Sequence, residues 1–302
     1  MPWFQRVLWL HRVLWFQRVL WVALPFGAGT VLGDALGIRC RGVQIAGSGL
    51  AWGAWALGLI ALAVAHPLSC TALRIVAPAA ALTTTWAALV ADAPAAVTVV
   101  AITTAGASAL LALGATFGER CVNGPAYPNE RRFLLRPPGP LLLGPLQLAW
   151  ALVAGGVIVG PLLLGAGAVL PGVITLVAGV ALAVLLSRSL HSLSRRFVVF
   201  VPAGFVLHDL AALGEPVLFP KQGIEAFRPA PADSDSLDLT MQAPGLALEV
   251  ILREKIEISR VDPRRRTTQP GATARFLFAP TRPGRVLAEA SARHLVAADP
   301  SG

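Results

Sequence analysis

Three cysteines, five histidines and two arginine clusters are the residues of this chain whose types could do chemistry. Cys40, Cys70 and Cys121 are odd in number, widely spaced and without a CxxC pair, so neither a disulfide framework nor a thiolate metal site is expected. His11, His66, His191, His208 and His294 show no H-x-x-x-H spacing and no cysteine at zinc-ligand spacing. His208-Asp209 stands as an isolated dipeptide at a strand end, a setting more ordinary for a solvated turn than for a metal ligand. Gly47-Ser48-Gly49 lacks the G-x-S-x-G of a nucleophile elbow, and GAGAVLPG at 165–172 lacks the lysine of a phosphate loop. No catalytic, cofactor-binding or metal-binding set is expected, and the chain is not read as an enzyme.

The arginines offer binding instead. Arg131, Arg132 and Arg136 flank Phe133-Leu134-Leu135, and Arg264-Arg265-Arg266 follows Pro263 in a strand-end loop. Cations beside apolar side chains suit an anionic leaflet, where each is worth about 1 kcal/mol. Both clusters are candidate contacts for lipid headgroups or a protein partner; the plainer reading is that they orient the chain and keep it solvated.

What must position these residues is a membrane domain. Hydrophobic residues make up 55% of the chain and charged ones 14%, with a mean hydropathy of +0.67, far from the soluble-domain pattern of about 25% charged. Residues 1–188 hold eleven basic and four acidic residues, while the remainder holds fourteen and twelve. The net charge of +9 therefore flanks apolar runs, and no nucleic-acid partner is expected.

Spans follow from the need for about 20 apolar residues per crossing. Runs at 44–65, 70–91, 94–116, 141–164 and 168–187 qualify, and 19–36 is marginal because it carries Pro25 and ends near Asp34. Arginines at 120, 131, 132 and 136, and again at 188, 195 and 196, place both segments in the cytoplasm by the positive-inside rule. Taking 19–36 as a crossing gives six spans in the plasma membrane with both ends cytoplasmic, although Arg39 and Arg41 then sit outside; five spans is the alternative. A cleaved leader is not expected, since no A-x-A-like exit follows the first apolar run.

Residues 75–91, 94–116 and 141–187 contain no Asp, Glu, Lys, Arg or His. Proton relays and ion pathways need such groups within the bilayer, which argues against a pump or ion-coupled transporter. Arg74 and Asp92 read as boundary residues. Gly49 with Gly53, and Gly156 with Gly160, form GxxxG pairs that allow close helix approach. Pro78, Pro145 and Pro161 would kink or start helices. Thr83, Thr84, Thr85, Thr103 and Thr104 could line a seam or bond back to their own helices, the commoner outcome.

The first residues repeat a phrase, WFQRVLWLHRVLWFQRVLW at 3–21, with arginine and tryptophan each recurring every six positions. At roughly 100° per residue that step sends successive arginines three different ways on a helix, so no face is built. Residues 1–18 read as a local duplication, interfacial or disordered, ahead of a membrane domain at 19–188.

From residue 195 the pattern changes to short alternating runs: RFVVFV, GFVLHDL, PVLFP, GIEAFRP, SLDLTM, LALEVIL, KIEISRV and ARFLFAP. Pro202-Ala203-Gly204 reads as a hairpin turn. Leu246, Leu248, Val250, Leu252, Ile256 and Ile258 share one parity and so one buried face. Pro283 opens a helix with Val286, Leu287, Ala290 and Leu295 along one stripe. Seven or eight strands and then a helix, over 195–302, resembles the pleckstrin-homology-like (PH-like) domains of bacterial membrane proteins. The loop AYPNERRFLLRPPGPLLLGPLQLAW, the junction SLSRRFVVFVPAGFVLHD and the ending APTRPGRVLAEASARHL are similar to a group of uncharacterised multi-pass membrane proteins of high-GC actinobacteria. That resemblance implies an integral membrane protein without an assigned activity.

The fold class expected is thus a polytopic α-helical bundle followed by a small β-rich PH-like domain with a C-terminal helix. Three functions compete. The first is a membrane-anchored binding or scaffold protein. The second is a transporter or lipid-handling protein with a cavity lined by the threonines. The third is a lipid-modifying enzyme using Tyr127, Asn129, Glu130, Arg131 and Arg132. Uncharged spans and the missing catalytic set favour the first.

Overall fold

The computed structural model describes residues 3–261 and 267–295, with side chains from Arg12 onward. In chain order its first elements are α1 (Trp3–Gly37), α2 (Arg41–Ala63), α3 (Pro67–Val90), α4 (Ala95–Leu113), α5 (Ala115–Asn123), β1 (Arg131–Leu134), α6 (Gly139–Leu142), α7 (Pro145–Gly165) and α8 (Val169–Ser194). Strands β2 (Phe197–Val201), β3 (Gly204–His208), β4 (Val217–Pro220), β5 (Ile224–Pro229), β6 (Leu237–Asp238), β7 (Leu248–Val261) and β8 (Thr268–Phe278) follow, and α9 (Pro283–Ala292) comes last. They form two units. One is helical, Met1–Gly124 with Gln147–His191, and the other is β-rich, Pro125–Leu146 with Ser192–Gly302.

Six helices are long and apolar enough to cross a bilayer: Arg12–Gly37, Arg41–Ala63, Pro67–Val90, Ala95–Leu113, Pro145–Gly165 and Val169–Ser194. The chain is a multi-pass membrane protein, and the marginal first run belongs to a span. The boundary expected between residues 18 and 19 is not there, because α1 is continuous from Trp3. Nothing in the repeat breaks a helix, Leu, Arg and Gln favour it, and Pro25 is the first interruption. Among the described side chains of α1, Gln17, Trp21, Leu24, Ala28, Val31 and Ala35 form a buried stripe at alternating steps of four and three, with Leu36 buried beside its end. A six-residue repeat cannot keep that stripe. Trp21 is 1% exposed while Trp15, its counterpart one copy earlier, is 66% exposed.

Trp21 fastens α1 to α2. Its Nε1 donates to the Trp55 carbonyl at 2.9 Å, and Trp55 Nε1 donates to the Trp21 carbonyl at 3.0 Å. Each indole N–H is thereby satisfied where no water reaches it. Gly58 is the necessary complement, since a Cβ there would run into the Trp21 ring. Of the GxxxG pairs, Gly156 and Gly160 pack closely on Gly179 and Leu176 of α8, whereas Gly49 and Gly53 face open space. The threonines are spent on their own helices: Thr83, Thr84, Thr85 and Thr103 each donate to the carbonyl four residues back, at 2.7–2.9 Å.

In the β-rich unit one antiparallel sheet has the order β1-β2-β3-β4 and the other β5-β7-β8-β6, with β6 parallel to β8. Several expected runs hold as strands, and LALEVIL with KIEISRV fuse into β7 across an irregularity between Ile251 and Ile256. The turn at Pro202-Ala203 closes on Gly204, whose φ of +152° and lack of a side chain let Phe219 O approach. The strand not foreseen is β1. Residues 131–134, read as part of a cytoplasmic loop, pair with β2 in the register Arg131↔Phe200 to Leu134↔Phe197. Phe133 joins Phe200, Phe205, Phe219, Phe227, Phe276 and Phe278 in one aromatic core, closed by Val286 and Ala290 of α9. Because β1 and β2 are hydrogen-bonded neighbours, no bilayer lies between them, so α7 and α8 leave and return to the same side.

One buried ion pair holds the junction. Arg196 donates Nε to Asp209 Oδ1 at 2.6 Å and Nη2 to Oδ2 at 2.7 Å, with side-chain exposures of 4% and 1%. Its Nη1 reaches the carbonyl of Arg136 at 2.9 Å, and its own carbonyl accepts Leu135 N at 3.0 Å. Asp209 Oδ1 also accepts Ala211 N at 3.2 Å. Removing one member leaves a buried charge unpaired, so Asp209→Ala should destabilise the β-rich unit by about 3–5 kcal/mol, and Arg196→Met with Asp209→Leu should recover most of that loss. Thermal proteolysis of the full chain in detergent measures both. Equal melting of Asp209→Ala and the double variant would show that the pair holds nothing.

Candidate functional site

The expected cluster Arg131, Arg132 and Arg136 does not act as one patch. Arg132 pairs with Glu130 at 2.9 Å and lies over the Phe197 ring at 5.5 Å. That ring stacks in turn on His208, with centroids 4.7 Å apart. Arg136 is consumed by backbone: its Nη1 donates to the Pro244 carbonyl, and its N–H to Ala279 O at 2.8 Å. Arg131 alone keeps a half-buried side chain without a bonded partner among the described residues. Once β1 joins a sheet its arginines must satisfy that sheet, which a reading of 117–140 as a simple loop cannot anticipate. Arg264, Arg265 and Arg266 lie outside the described residues, between β7 and β8.

The other sequence candidates are engaged structurally. His208 Nδ1 donates to Arg195 O at 2.8 Å and Asp209 holds Arg196, so the His-Asp dipeptide has no common target. The loop offered for lipid chemistry is docked within the β-rich unit, where Asn129 O accepts Arg293 Nη2 at 3.1 Å. Two of the three cysteines do meet, against expectation. Hydrogen bonding with Cys70, followed by burial, pushes the Cys121 thiol above its ordinary value, so it stays protonated and unreactive.

A different surface gathers free charge. β5 covers β7 only over Leu248–Leu252, and β6 covers β8 only at Phe276 and Leu277. Beyond those points β7 and β8 continue as a ribbon, Ile256–Val261 against Thr268–Thr273. Its β7 side is met by Ala212 and Gly214, through Val261 N to Ala212 O at 3.0 Å and Gly214 N to Ser259 O at 2.8 Å. The β8 side borders a groove of about 420 Å³, lined among others by Asp235, Ser236, Lys255, Arg260, Thr273 and Arg275. No strand covers the β8 edge from Thr268 to Arg275 among the described residues. Lys255, Arg260 and Arg275 are exposed there, and none is paired with a carboxylate among the described residues.

The loop that lines the groove opposite β8 is held by Glu249, which points away from the apolar face of β7 and is 2% exposed. Its Oε1 accepts the hydroxyls of Ser234 and Ser236, each at 2.6 Å, and its Oε2 accepts Arg228 Nε at 2.8 Å. The loop before β6 is thereby folded around one carboxylate. Sequence parity marked residue 249 as a solvent position, and the serines of DSDS were the one clue to its acceptor role. Burial alone would raise the Glu249 pKa, but the two serine bonds and the Arg228 bond and charge outweigh it and leave the carboxyl below the ordinary glutamate value.

A group depressed on folding adds stability that is whole above its unfolded pKa, about 4.3, and fades as the pH falls through the folded value. Hydrogen exchange in residues 232–238, corrected for intrinsic rate, should therefore rise as pH drops below about 4.3. Glu249→Gln should abolish that step. A wild-type profile flat through this range would contradict the assignment. No family model, no curated protein and no solved structure matches the chain.

Proposed function

We propose that the chain is a membrane-anchored binding or scaffold protein, in which six helices fix the location and the β-rich unit recruits a protein partner at the cytoplasmic face of the plasma membrane. Two four-stranded sheets followed by α9 support a PH-like identity for that unit, with the departure that its first strand is supplied from between α5 and α7. The arginines around 131–136 and 188–196 support the cytoplasmic side. The observation that carries the reading is the uncovered β8 edge beside Lys255, Arg260 and Arg275. Main-chain groups along such an edge, other than those of Arg275, which the Thr273 hydroxyl already bonds, can accept an added strand, and the cations favour an acidic extended segment. Pro270 interrupts the edge and guards it against indiscriminate pairing.

A transporter reading is not favoured, because four of the five hydroxyls it would need, those of Thr83, Thr84, Thr85 and Thr103, are bonded back within α3 and α4. The test is a photo-crosslinking side chain in place of Thr273 in the full chain, in the membranes of its own cells. A discrete protein adduct is expected, and Arg260→Glu with Arg275→Glu should lower its yield about tenfold. Adducts to lipid alone, or a yield indifferent to the charge reversal, would overturn the proposal.

A further inference from the structure

The end of the helical unit where α2 finishes holds a second convergence of cations. Arg18 of α1 donates Nη2 to the Leu62 carbonyl at 3.2 Å, and Arg120 of α5 donates Nη1 to the same oxygen at 2.8 Å and Nη2 to Ala63 O at 3.4 Å. The partial negative charge of one helix C-terminus, about half a unit, does not balance two guanidiniums. Arg74 sends Nε to Ala112 O at 3.4 Å, at the end of α4, and its charge reaches Cys121, the neighbour of Arg120. None of the three arginines is paired with a carboxylate among the described residues. Burial, and after it the charge of Arg18, push the Arg120 guanidinium below its ordinary value, as expected of like charges held together without an anion.

The surface below this cluster is apolar. Arg18, Val19, Val22, Ala23 and Phe26 line a shallow groove of about 330 Å³ along α1. Val22 and Phe26 are 49% and 82% exposed, on a helix that is a candidate span. From Arg18 to Phe26 the groove descends roughly 12 Å at about 1.5 Å per residue. Arg18, which heads this apolar groove and shares the Leu62 carbonyl with Arg120, matches a molecule with an acidic head and an acyl tail. A free phosphate would satisfy the upper half alone.

We infer that Arg18 and Arg120, with Arg74 beside them, bind the phosphate of an anionic phospholipid whose acyl chain lies in the α1 groove. The inference rests on the bilayer placement of the helical unit and not on partner recruitment by the β-rich unit, so failure of the Thr273 crosslink leaves it standing. The full chain, released into the gas phase from nanodiscs of phosphatidylglycerol and phosphatidylcholine, should retain phosphatidylglycerol in preference. Arg18→Gln, at an exposed residue with a single carbonyl bond, should lower that retention about fivefold, and Arg120→Gln by at least as much. Ala23→Phe, which fills the groove, should weaken retention of the diacyl lipid with the arginines intact. Helix content by circular dichroism identifies any variant that fails to fold, and Arg18→Gln alone decides the matter if Arg120→Gln does so. Retention unchanged in a folded Arg18→Gln variant overturns the inference. Displacement of the lipid by inorganic phosphate at equal concentration, or indifference to Ala23→Phe, overturns it in favour of a bare anion site.

Discussion

The buried bond between Arg196 and Asp209 is the constraint on which the junction of this chain depends. It lies just past the end of α8 and just past the end of β3, and through the Arg136 carbonyl it also grips the second residue after β1. Three chain segments far apart in sequence are thus held by one guanidinium. A bidentate fork is suited to this, since its planar donors can serve a carboxylate on one edge and a carbonyl on the other. A hydrophobic pair could fill the space but could not take up the part-buried Arg136 carbonyl, so its replacement of the ion pair is incomplete. With the junction closed, α7 and α8 become an excursion that starts and finishes in the same sheet.

That excursion explains why small residues matter most in α7 and α8. Gly156, Gly160 and Gly179 let the two helices approach closely over the half of the hairpin next to its turn. In hydrocarbon there is no hydrophobic gain from association, so van der Waals contact between near-touching backbones is what holds such a hairpin. The α1–α2 contact uses a different device. Trp21 and Trp55 exchange indole hydrogen bonds, and Gly58 provides the space for the ring. Neither device uses a charged group, which is consistent with the absence of ionisable residues from 75–91, 94–116 and 141–187.

Much of this was legible in the sequence, and the failures share a cause. Spans are set by length and apolarity, properties local to a segment, and all six runs are helices of the expected kind. The strands after residue 195 follow from alternation, again local. What local patterns cannot carry is which distant segment completes a sheet: Arg131–Leu134 is a four-residue run whose strand character appears only beside Phe197–Phe200. The engagement of Arg132 and Arg136 was hidden for the same reason, because their bonds are dictated by that pairing. Glu249 was passed over because parity assigned it to solvent, whereas Ser234, Ser236 and Arg228 make a polar interior for it. The repeat at 3–21 misled in the other direction. Its regularity suggested a duplicated segment, interfacial or disordered, set apart from the membrane domain, yet α1 runs through it and packing buries Trp21 while leaving Trp15 exposed.

Net charge, finally, is a poor guide to where this protein is cationic. Arg132, Arg196, Arg228 and Arg293 are matched by carboxylates, and Arg136 by carbonyl oxygen. At physiological salt, charges separated by much more than about 8 Å scarcely sense each other, so the surplus counts only where unmatched cations are neighbours. Two such places stand out among the described residues: Arg18, Arg74 and Arg120 in the helical unit, and Lys255, Arg260 and Arg275 in the β-rich unit. The first lies above an apolar groove and the second beside an uncovered strand edge. Equal charge therefore selects different anions, because the neutral surroundings differ: hydrocarbon favours a tail, and a strand edge that no neighbour covers favours a strand.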